Sequence, residues 1–583
     1  MVTDLISKRK PGVVPFVSHT PTKTGAITKD DTHPLQGALP LRRVVSSQSS
    51  RVCPDVHPDY VQGPIAQLAH GIDRVLFNPG VHWIRDPHSG VFNFTPYLQT
   101  VPDVREFDFN RLYPYVRSSE DDTMRKLAIR EGKRYIGSSS SMTGALSHIY
   151  RLISGEKPVN LSSLTMAFAN EPDNFSAGQV IPVTVRITQK DGIYTLDPDS
   201  SDPEDNERHI LLWLGTMLEK FLTKTPEQFS QLTRSAPPLA QPPRKETYRY
   251  SKSSKFVMRG QLDCVDSRLP GTGVFDIKTR ASVLVRLDRF NMDSFAGYEI
   301  RTQHGLFESF EREEYDMIRS AFLKYIFQAR IGKMDGCIVA YHNTHKLMGF
   351  QYFPVEAMEE RVYGASGIGE RVFLQSLMLL EAILDVAVSI FPDLPISVMF
   401  DKVEKTSKMS VFVRPTQGFD PRSVPLALLV VDCQAWLGPI VTNRAKAIVR
   451  NRDDLKLEYT IKRYNGTQKA IADLYSGALD RQDLGFPLAP GQSKDDMVTM
   501  YRDYNALGKT LTQEQKERVS DMTFYPASSK VKEIRALATK GMHRLQQLDE
   551  TSLEKPHVVW QPLMYVGSGE ADGGADQQIT SPT

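Results

Sequence analysis

The sequence predicts an α/β protein with a mixed sheet at its centre, carrying N-terminal and helical C-terminal elaborations. Three observations support that reading. Two β-like runs, KFVMRGQLDCV and GVFDIKTRA, stand either side of a short loop containing Pro270, Gly271 and Gly273. A charged helical stretch at about 311–332 leads into two further strand-like runs, GCIVAYHN and LMGFQYF. A long apolar helix at about 367–391 precedes the hairpin pair ISVMFDKV and MSVFVRP and the buried-strand run PLALLVVD. Helices and strands alternating in this way pack as helices on a sheet.

The elements follow in order. Residues 1–60 are rich in Pro, Thr, Ser and Lys, lack hydrophobic periodicity and are expected to be a disordered arm. Residues 61–204 form an N-terminal region of mixed signals. Within it GPIAQLAHGIDRVLF reads as helix, VHWIRD and VFNF as short strands around Ser89-Gly90, and Ser138–Ser141 as a loop. VTVRITQKDGIYTL reads as a hairpin with Asp191-Gly192 at its turn, since two-residue hairpin turns favour Asp-Gly. The acidic loop DPDSSDPEDNE and a helix at about 207–223 open a core spanning 205–415, with a Pro-rich linker at about 235–244. Residues 416–565 read as mostly helical and charged beyond the PLALLVVD strand, and 566–583 as a disordered Gly, Ser, Asp and Gln tail.

Of the 583 residues 40% are hydrophobic and 24% charged, an ordinary balance for a globular protein. A formal net charge of +2 marks no strongly basic nucleic-acid binder, so any basic surface must be local. Cys53, Cys264, Cys337 and Cys433 are scattered without zinc-like spacing and suggest neither a disulfide framework nor a zinc site. No run reaches the roughly 18 uninterrupted apolar residues of a membrane span. The nearest, from Phe373 to Phe391 and from Val424 to Val441, carry Glu381, Asp385 and Asp432 and read as buried core elements. The N-terminus is basic at Lys8, Arg9 and Lys10, but Asp4, Asp30 and Asp31 do not suit a transit peptide.

Chemistry concentrates around Gly260-Gln-Leu-Asp263 and Phe275-Asp276-Ile-Lys278. An acidic-x-Lys triplet alone means little, and Glu131-Gly-Lys133, Asp454-Leu-Lys456 and Glu514-Gln-Lys516 also occur, in polar, loop-like or helical contexts. Only Asp276-Ile-Lys278 sits among apolar β-like neighbours, Val274, Phe275 and Ile277. Strand alternation places Asp276 and Lys278 on one face and Phe275 and Ile277 on the other. A tight connection would bring the strand ending at Asp263 alongside, about 4.8 Å away, so that two carboxylates converge. Their repulsion calls for a hard cation with oxygen ligands, Mg²⁺ or Mn²⁺. A lysine beside it would hold or deprotonate an attacking water, or stabilise developing phosphate charge.

This arrangement resembles the PD-(D/E)xK nuclease superfamily, and within it the RecB-like exonuclease branch. The resemblance implies catalytic roles for Asp263, Asp276 and Lys278, metal ligation by Asp263 and Asp276, and a further ligand on the preceding helix. Glu219, in HILLWLGTMLEKFL, matches that ligand. Gln328, in FLKYIFQARIG, matches the glutamine that positions the lysine or a phosphate. Leu262 replaces the proline of the superfamily name, and Gly332 stands where a tyrosine often follows the glutamine. The blocks RGQLDCVDSRLPGTGVFDIKTRASVLVRLDRF and EEYDMIRSAFLKYIFQARIGKMDGCIVAYHNT are similar to a fungal petite-class mitochondrial family, over about residues 60–440. That resemblance implies mitochondrial RNA 5′-end processing and turnover, single-stranded RNA as partner, contact with transcription or RNA-decay machinery, and peripheral association with the matrix side of the inner membrane without a transmembrane helix.

Plainer readings stand beside these. Asp276 and Lys278 would also suit a surface ion pair, and Glu219 and Gln328 a helix surface. Asp266 competes with Asp263 but suits a turn cap better. His342 and His345 read as polar turn residues rather than metal ligands. Arg280 and Arg286 are candidates for phosphate contacts. Arg444, Lys446, Arg450 and Arg452 read as a solvated face, ahead of an RNA or lipid contact. The sequence thus favours a metal-dependent RNA nuclease. A non-catalytic RNA-binding scaffold and a DNA repair nuclease are the alternatives.

Overall fold

The computed structural model describes residues 41–46, 53–199, 210–239, 242–287, 297–417, 424–450, 455–483, 529–552 and 558–561. Most of the expected N-terminal arm, most of the acidic loop, the triplet Glu514-Gln-Lys516 and the tail lie outside the described residues.

Among the described residues the sixteen strands are β1 (Leu41–Ser46), β2 (Val81–Trp83), β3 (Tyr135–Ser138), β4 (Val183–Lys190), β5 (Ile193–Pro198), β6 (Tyr248–Lys252), β7 (Phe256–Gln261) and β8 (Cys264–Val265), then β9 (Val274–Ala281), β10 (Gly336–His342), β11 (Leu347–Pro354), β12 (Ile396–Asp401), β13 (Met409–Pro415), β14 (Ala427–Leu437), β15 (Ile440–Thr442) and β16 (Leu455–Arg463). They form two mixed sheets, in accord with the expected fold class. The larger runs β1-β16-β14-β13-β12-β4-β5-β3-β7-β6, with β15 appended to β14. The smaller runs β2-β11-β10-β9-β8. Each contains parallel pairs, β3 with β5 and β7 in one and β9 with β10 in the other.

Local chemistry explains several elements. Asp191 and Gly192 both take positive φ, 54° and 75°, the geometry of a primed hairpin turn, and β4 and β5 pair antiparallel around them. Five helices matter for the site. These are α1 (Ser139–Ser154), α2 (Ile210–Thr223), α3 (Phe310–Ser320) and α4 (Phe322–Gly332), with α5 at Gly369–Ile390. α3 and α4 replace the single helix expected at 311–332. The break falls at Ala321, whose φ of −129° leaves the helical region.

α5 is long and apolar enough to cross a membrane by length and composition. Here it lies in the main core, with Val372, Phe373, Leu377, Leu380, Ile383 and Leu384 buried. Its charged residue Glu381 accepts hydrogen bonds from Ser253 Oγ, Ser254 Oγ and the Lys255 amide, so burial leaves that carboxylate satisfied.

Four local expectations differ from the structure. Leu41–Ser46, inside the arm expected to be disordered, is β1 and pairs antiparallel with β16. GPIAQLAHGIDRVLF contains only a 3-10 segment, Ile72–Phe77, because Pro64 and the left-handed His70 and Gly71 (φ 61° and 68°) interrupt a longer helix. Ser138–Ser141 is the end of β3 and the start of α1 rather than a loop, with Ser138 as the cap and its amide donating to Ser141 Oγ at 3.0 Å. LKLEYTIKR, in the stretch read as helical, is β16. Leu455, Leu457, Tyr459 and Ile461 alternate inward along it, a period of two that its charge density obscured. The larger sheet draws strands from the N-terminal, central and C-terminal stretches of the chain alike.

Candidate active site

The chain leaves the larger sheet at Gln261, the end of β7, and enters the smaller at Cys264, the start of β8. Asp263 lies in that crossing. What reads in sequence as one strand is therefore two strands in two sheets. Gly260 makes the crossing possible. A Cβ there would lie 2.9 Å from Gly332 Cα, so β7 rests directly on the end of α4.

β8 is only two residues long and pairs Cys264 with Phe275 and Val265 with Val274. Beyond Phe275 the β9 edge has no strand partner among the described residues. The Asp263 carboxylate takes the place of one, Oδ2 accepting from the Ile277 amide at 3.2 Å. Hydrogen bonding to that edge aims the Asp263 carboxylate at β9, as the sequence reading requires.

Alternation along β9 holds. Phe275 and Ile277 join an apolar cluster with Leu214 and Leu218 of α2 and Ile338 and Ala340 of β10. Asp276 and Lys278 face α4. Lys278 Nζ lies 2.7 Å from Asp276 Oδ2, donates to Gln328 Oε1 at 2.9 Å, and sits 5.2 Å from the Tyr325 ring centroid. The predicted glutamine thus reaches the predicted lysine. Gly332 brings no ring to this lysine, but Tyr325, one turn before Gln328, does.

The electrostatics are crowded. Burial, then the neighbouring Asp276, and further on Glu219, push Asp263 well above the usual carboxylate range. Asp276 is 2% exposed and its Oδ1 has no hydrogen-bond partner. Burial would lower Lys278, but Asp276 and Asp263 outweigh it and hold the ammonium charged. Glu219 comes to the same cleft from α2. Burial raises it, while Lys220 Nζ, 2.7 Å away and also 2.9 Å from Glu246, draws it back.

The structure therefore brings Asp263, Asp276, Lys278 and Gln328 together and sets Glu219 at the rim with its own cation. Among the described residues no three His, Cys, Asp or Glu side chains form a ready-made metal cluster. The donor chemistry nonetheless suits a hard divalent ion. Two carboxylates repel each other, and one buried oxygen is unsatisfied.

A cleft of about 360 Å³ opens over this edge, with Glu219, Asp263, Lys278 and Gln328 on one wall. Tyr115, Ser138–Ser140, Tyr248 and Arg259 line it too, none of them singled out from sequence. Arg259 is buried, bonded to Asp121 Oδ2 at 2.5 Å and stacked 4.6 Å from the Tyr248 ring centroid. Its position in Met-Arg-Gly-Gln, within the strand that delivers Asp263, was the available signal.

The remaining candidates take plainer roles. Asp266 caps its turn, accepting from the Arg268 amide at 3.0 Å. His342 ends β10, buried, with burial lowering its pKa to about 4. Its Nδ1 accepts from the Thr344 amide at 3.1 Å. Arg444 donates to the carbonyls of Ser407 and Cys433, and Arg452 lies outside the described residues. All four cysteines are free and buried.

The sequence profile of the family described as mitochondrial protein Pet127 matches residues 115–385, a stretch holding every residue of this cluster. A Schizosaccharomyces pombe relative, named as mRNA degradation protein pet127, mitochondrial, is 39% identical over 346 residues, covering 58% of this chain and 66% of that protein. A Saccharomyces cerevisiae relative, named as putative mitochondrial translation system component PET127, is 38% identical over 320 residues, covering 51% and 38%. The matches thus span less than two thirds of either relative. Among solved structures, Candida albicans Rai1 in complex with pU5-Mn²⁺ aligns over 65% of this chain and 93% of its own, at 11% identity and a TM-score of 0.31. Scheffersomyces stipitis Rai1 with (3′-NADP)⁺ and calcium aligns over 53% and 78%, at 10% and 0.29.

Proposed function

We propose that the chain, whose residues 115–385 match the Pet127 family of mitochondrial proteins, is a member of that family and a divalent-metal-dependent nuclease acting on RNA. One observation carries the reading: two crowded carboxylates, one with an orphaned oxygen, lie beside a charged lysine at an open strand edge. In this proposal Asp263 and Asp276 hold Mg²⁺ or Mn²⁺, with Glu219 as a further ligand. A bound ion of this kind makes water a usable nucleophile near neutral pH and screens phosphate charge.

The protein's own groups do the rest. Lys278 orients the water and meets the charge that develops on the phosphate. Gln328 fixes the ammonium by accepting one of its protons. The cleft at the free edge of β9 admits a single strand. Both relatives are named mitochondrial, and the name of the Schizosaccharomyces pombe relative supports a place in mitochondrial RNA degradation. Action at 5′ ends, contact with transcription or RNA-decay machinery, and a peripheral position on the matrix side of the inner membrane complete the proposal.

A second reading has one observation in its favour. Glu219 is already paired with Lys220, and Asp276 with Lys278, which suits an RNA-binding scaffold on a nuclease-like core. The test compares wild type with Lys278→Ala on 5′- and 3′-labelled single-stranded RNA in Mg²⁺, Mn²⁺ or EDTA. Metal-dependent cleavage lost in the variant is expected. Binding without cleavage in either protein selects the scaffold. Stronger cleavage of competing single-stranded DNA would redirect the substrate assignment.

A further inference from the structure

Beyond Lys278 on the same face of β9 stands Arg280, 8% exposed. Two residues along a strand span about 7 Å. Around Arg280 lie two more guanidinium groups and two carboxylates. Arg286 Nη2 pairs with Glu313 Oε2 at 2.5 Å and Asp316 Oδ2 at 2.8 Å. Arg312 Nε pairs with the same Asp316 oxygen at 3.3 Å. The other Glu313 oxygen accepts from the Val283 amide at 2.7 Å. Glu314, next in sequence, is held by Arg361 at 2.6 Å.

Both nearby carboxylates are therefore engaged by other partners. The charged contact left to Arg280 is Glu313 Oε2, 3.5 Å from its Nε, and its buried Nε and Nη2 make no hydrogen bond. A buried Nη1 of Arg312 is unpartnered as well. Three cations share two anions in a site shielded from water. Burial, followed by the charge of Arg286, presses the Arg280 pKa down. Such an arrangement is costly unless an anion completes it.

We propose that Arg280 holds a phosphate of the substrate strand adjacent to the one attacked beside Lys278. The inference rests on the nuclease reading and adds a second backbone contact to it. A planar donor fork suits a phosphate better than an ammonium does. One strand step between Lys278 and Arg280 sets two cations in line on one face of β9, about 7 Å apart, close to the spacing of successive phosphodiesters. Tyr325, whose ring centroid lies 5.2 Å from Lys278 Nζ, is within electrostatic reach of Arg280 as well.

The test measures equilibrium binding of labelled single-stranded RNA in EDTA over a range of KCl, for wild type, Arg280→Met, Arg280→Lys and Lys278→Ala, with thermal unfolding of each. Arg280→Met is expected to bind about tenfold more weakly at low salt. Its log-affinity against log-salt slope should shrink by about 0.7, one phosphate on a single strand. Its unfolding temperature should be equal to or above that of wild type, because an underpaired cation has been removed. Arg280→Lys should recover the slope with part of the affinity. A lower unfolding temperature with an unchanged salt slope would make Arg280 a structural ion-pair partner and overturn the inference. Cleavage by wild type with no slope change in Arg280→Met overturns it alone. A changed slope without cleavage by wild type upholds the phosphate contact and removes the nuclease reading instead.

Discussion

The two ends of β7 meet buried carboxylates in opposite conditions. At its start, Glu381 of α5 is 3% exposed and fully engaged, accepting two serine hydroxyls and the Lys255 amide. Asp385, one turn on, accepts from Tyr135 Oη at 2.9 Å and pairs with Arg134 at 3.0 Å and with Lys255. At the other end, Asp263 and Asp276 crowd each other, and Asp276 Oδ1 is left without a partner. The first end is a finished structural joint. The second is unfinished unless something else binds there. Burial of a carboxylate thus says little by itself, whereas the satisfaction of its oxygens separates a joint from a site.

Substitutions that remove charge should affect the two ends in opposite ways. The largest expected effect is on catalysis. Asp276→Asn should lower single-turnover RNA cleavage by about 10²–10³-fold, the scale on which one transition-state-stabilising group acts. Next is stability at the structural end. Glu381→Ala strands two hydroxyls and an amide and should cost about 2–4 kcal/mol in denaturant unfolding, with cleavage per folded molecule unchanged. A smaller effect belongs to Gln328→Ala, expected to lower cleavage about tenfold with substrate affinity preserved, because Lys278 loses its orienting acceptor. If Gln328→Ala altered affinity and left the rate intact, the glutamine would be a substrate contact rather than a support for Lys278.

Much of the Asp263–Asp276 end was legible because it is written locally. Alternation in Val274–Lys278 sets Asp276 and Lys278 on one face, and the helical context of Glu219 and Gln328 needed only short-range pattern. Gly260 stands in the Gly-Gln-Leu-Asp motif, but its close approach to Gly332 could not be read from the sequence. What escaped was long-range. No local signal distinguishes β7 from β8, so the change of sheet between Gln261 and Cys264 was hidden inside one continuous β-like run. The walls supplied by Tyr115, Ser138–Ser140 and Arg259 come from segments that the sheet order alone brings together. β16 was missed because charged outward residues masked a period of two, and the 3-10 turn at Ile72–Phe77 because apolar spacing suggested more helix than Gly71 allows. The structural end was legible only in part. Glu381 and Asp385 marked α5 as a core helix, but their serine and lysine partners lie far away in sequence.

The central claim is that the cluster of Asp263, Asp276 and Lys278 is completed by a divalent cation. Thermal unfolding of wild type and Asp276→Asn, each with and without Mn²⁺, tests it most directly. The account predicts that the metal-free variant unfolds at or above the wild-type temperature, since repulsion with Asp263 is relieved. It also predicts that Mn²⁺ raises the midpoint of wild type in a concentration-dependent way and leaves the variant unmoved. Equal shifts in both proteins, or none in wild type, together with a destabilised variant, would make the Asp276–Lys278 pair a structural joint like the one at the other end of β7.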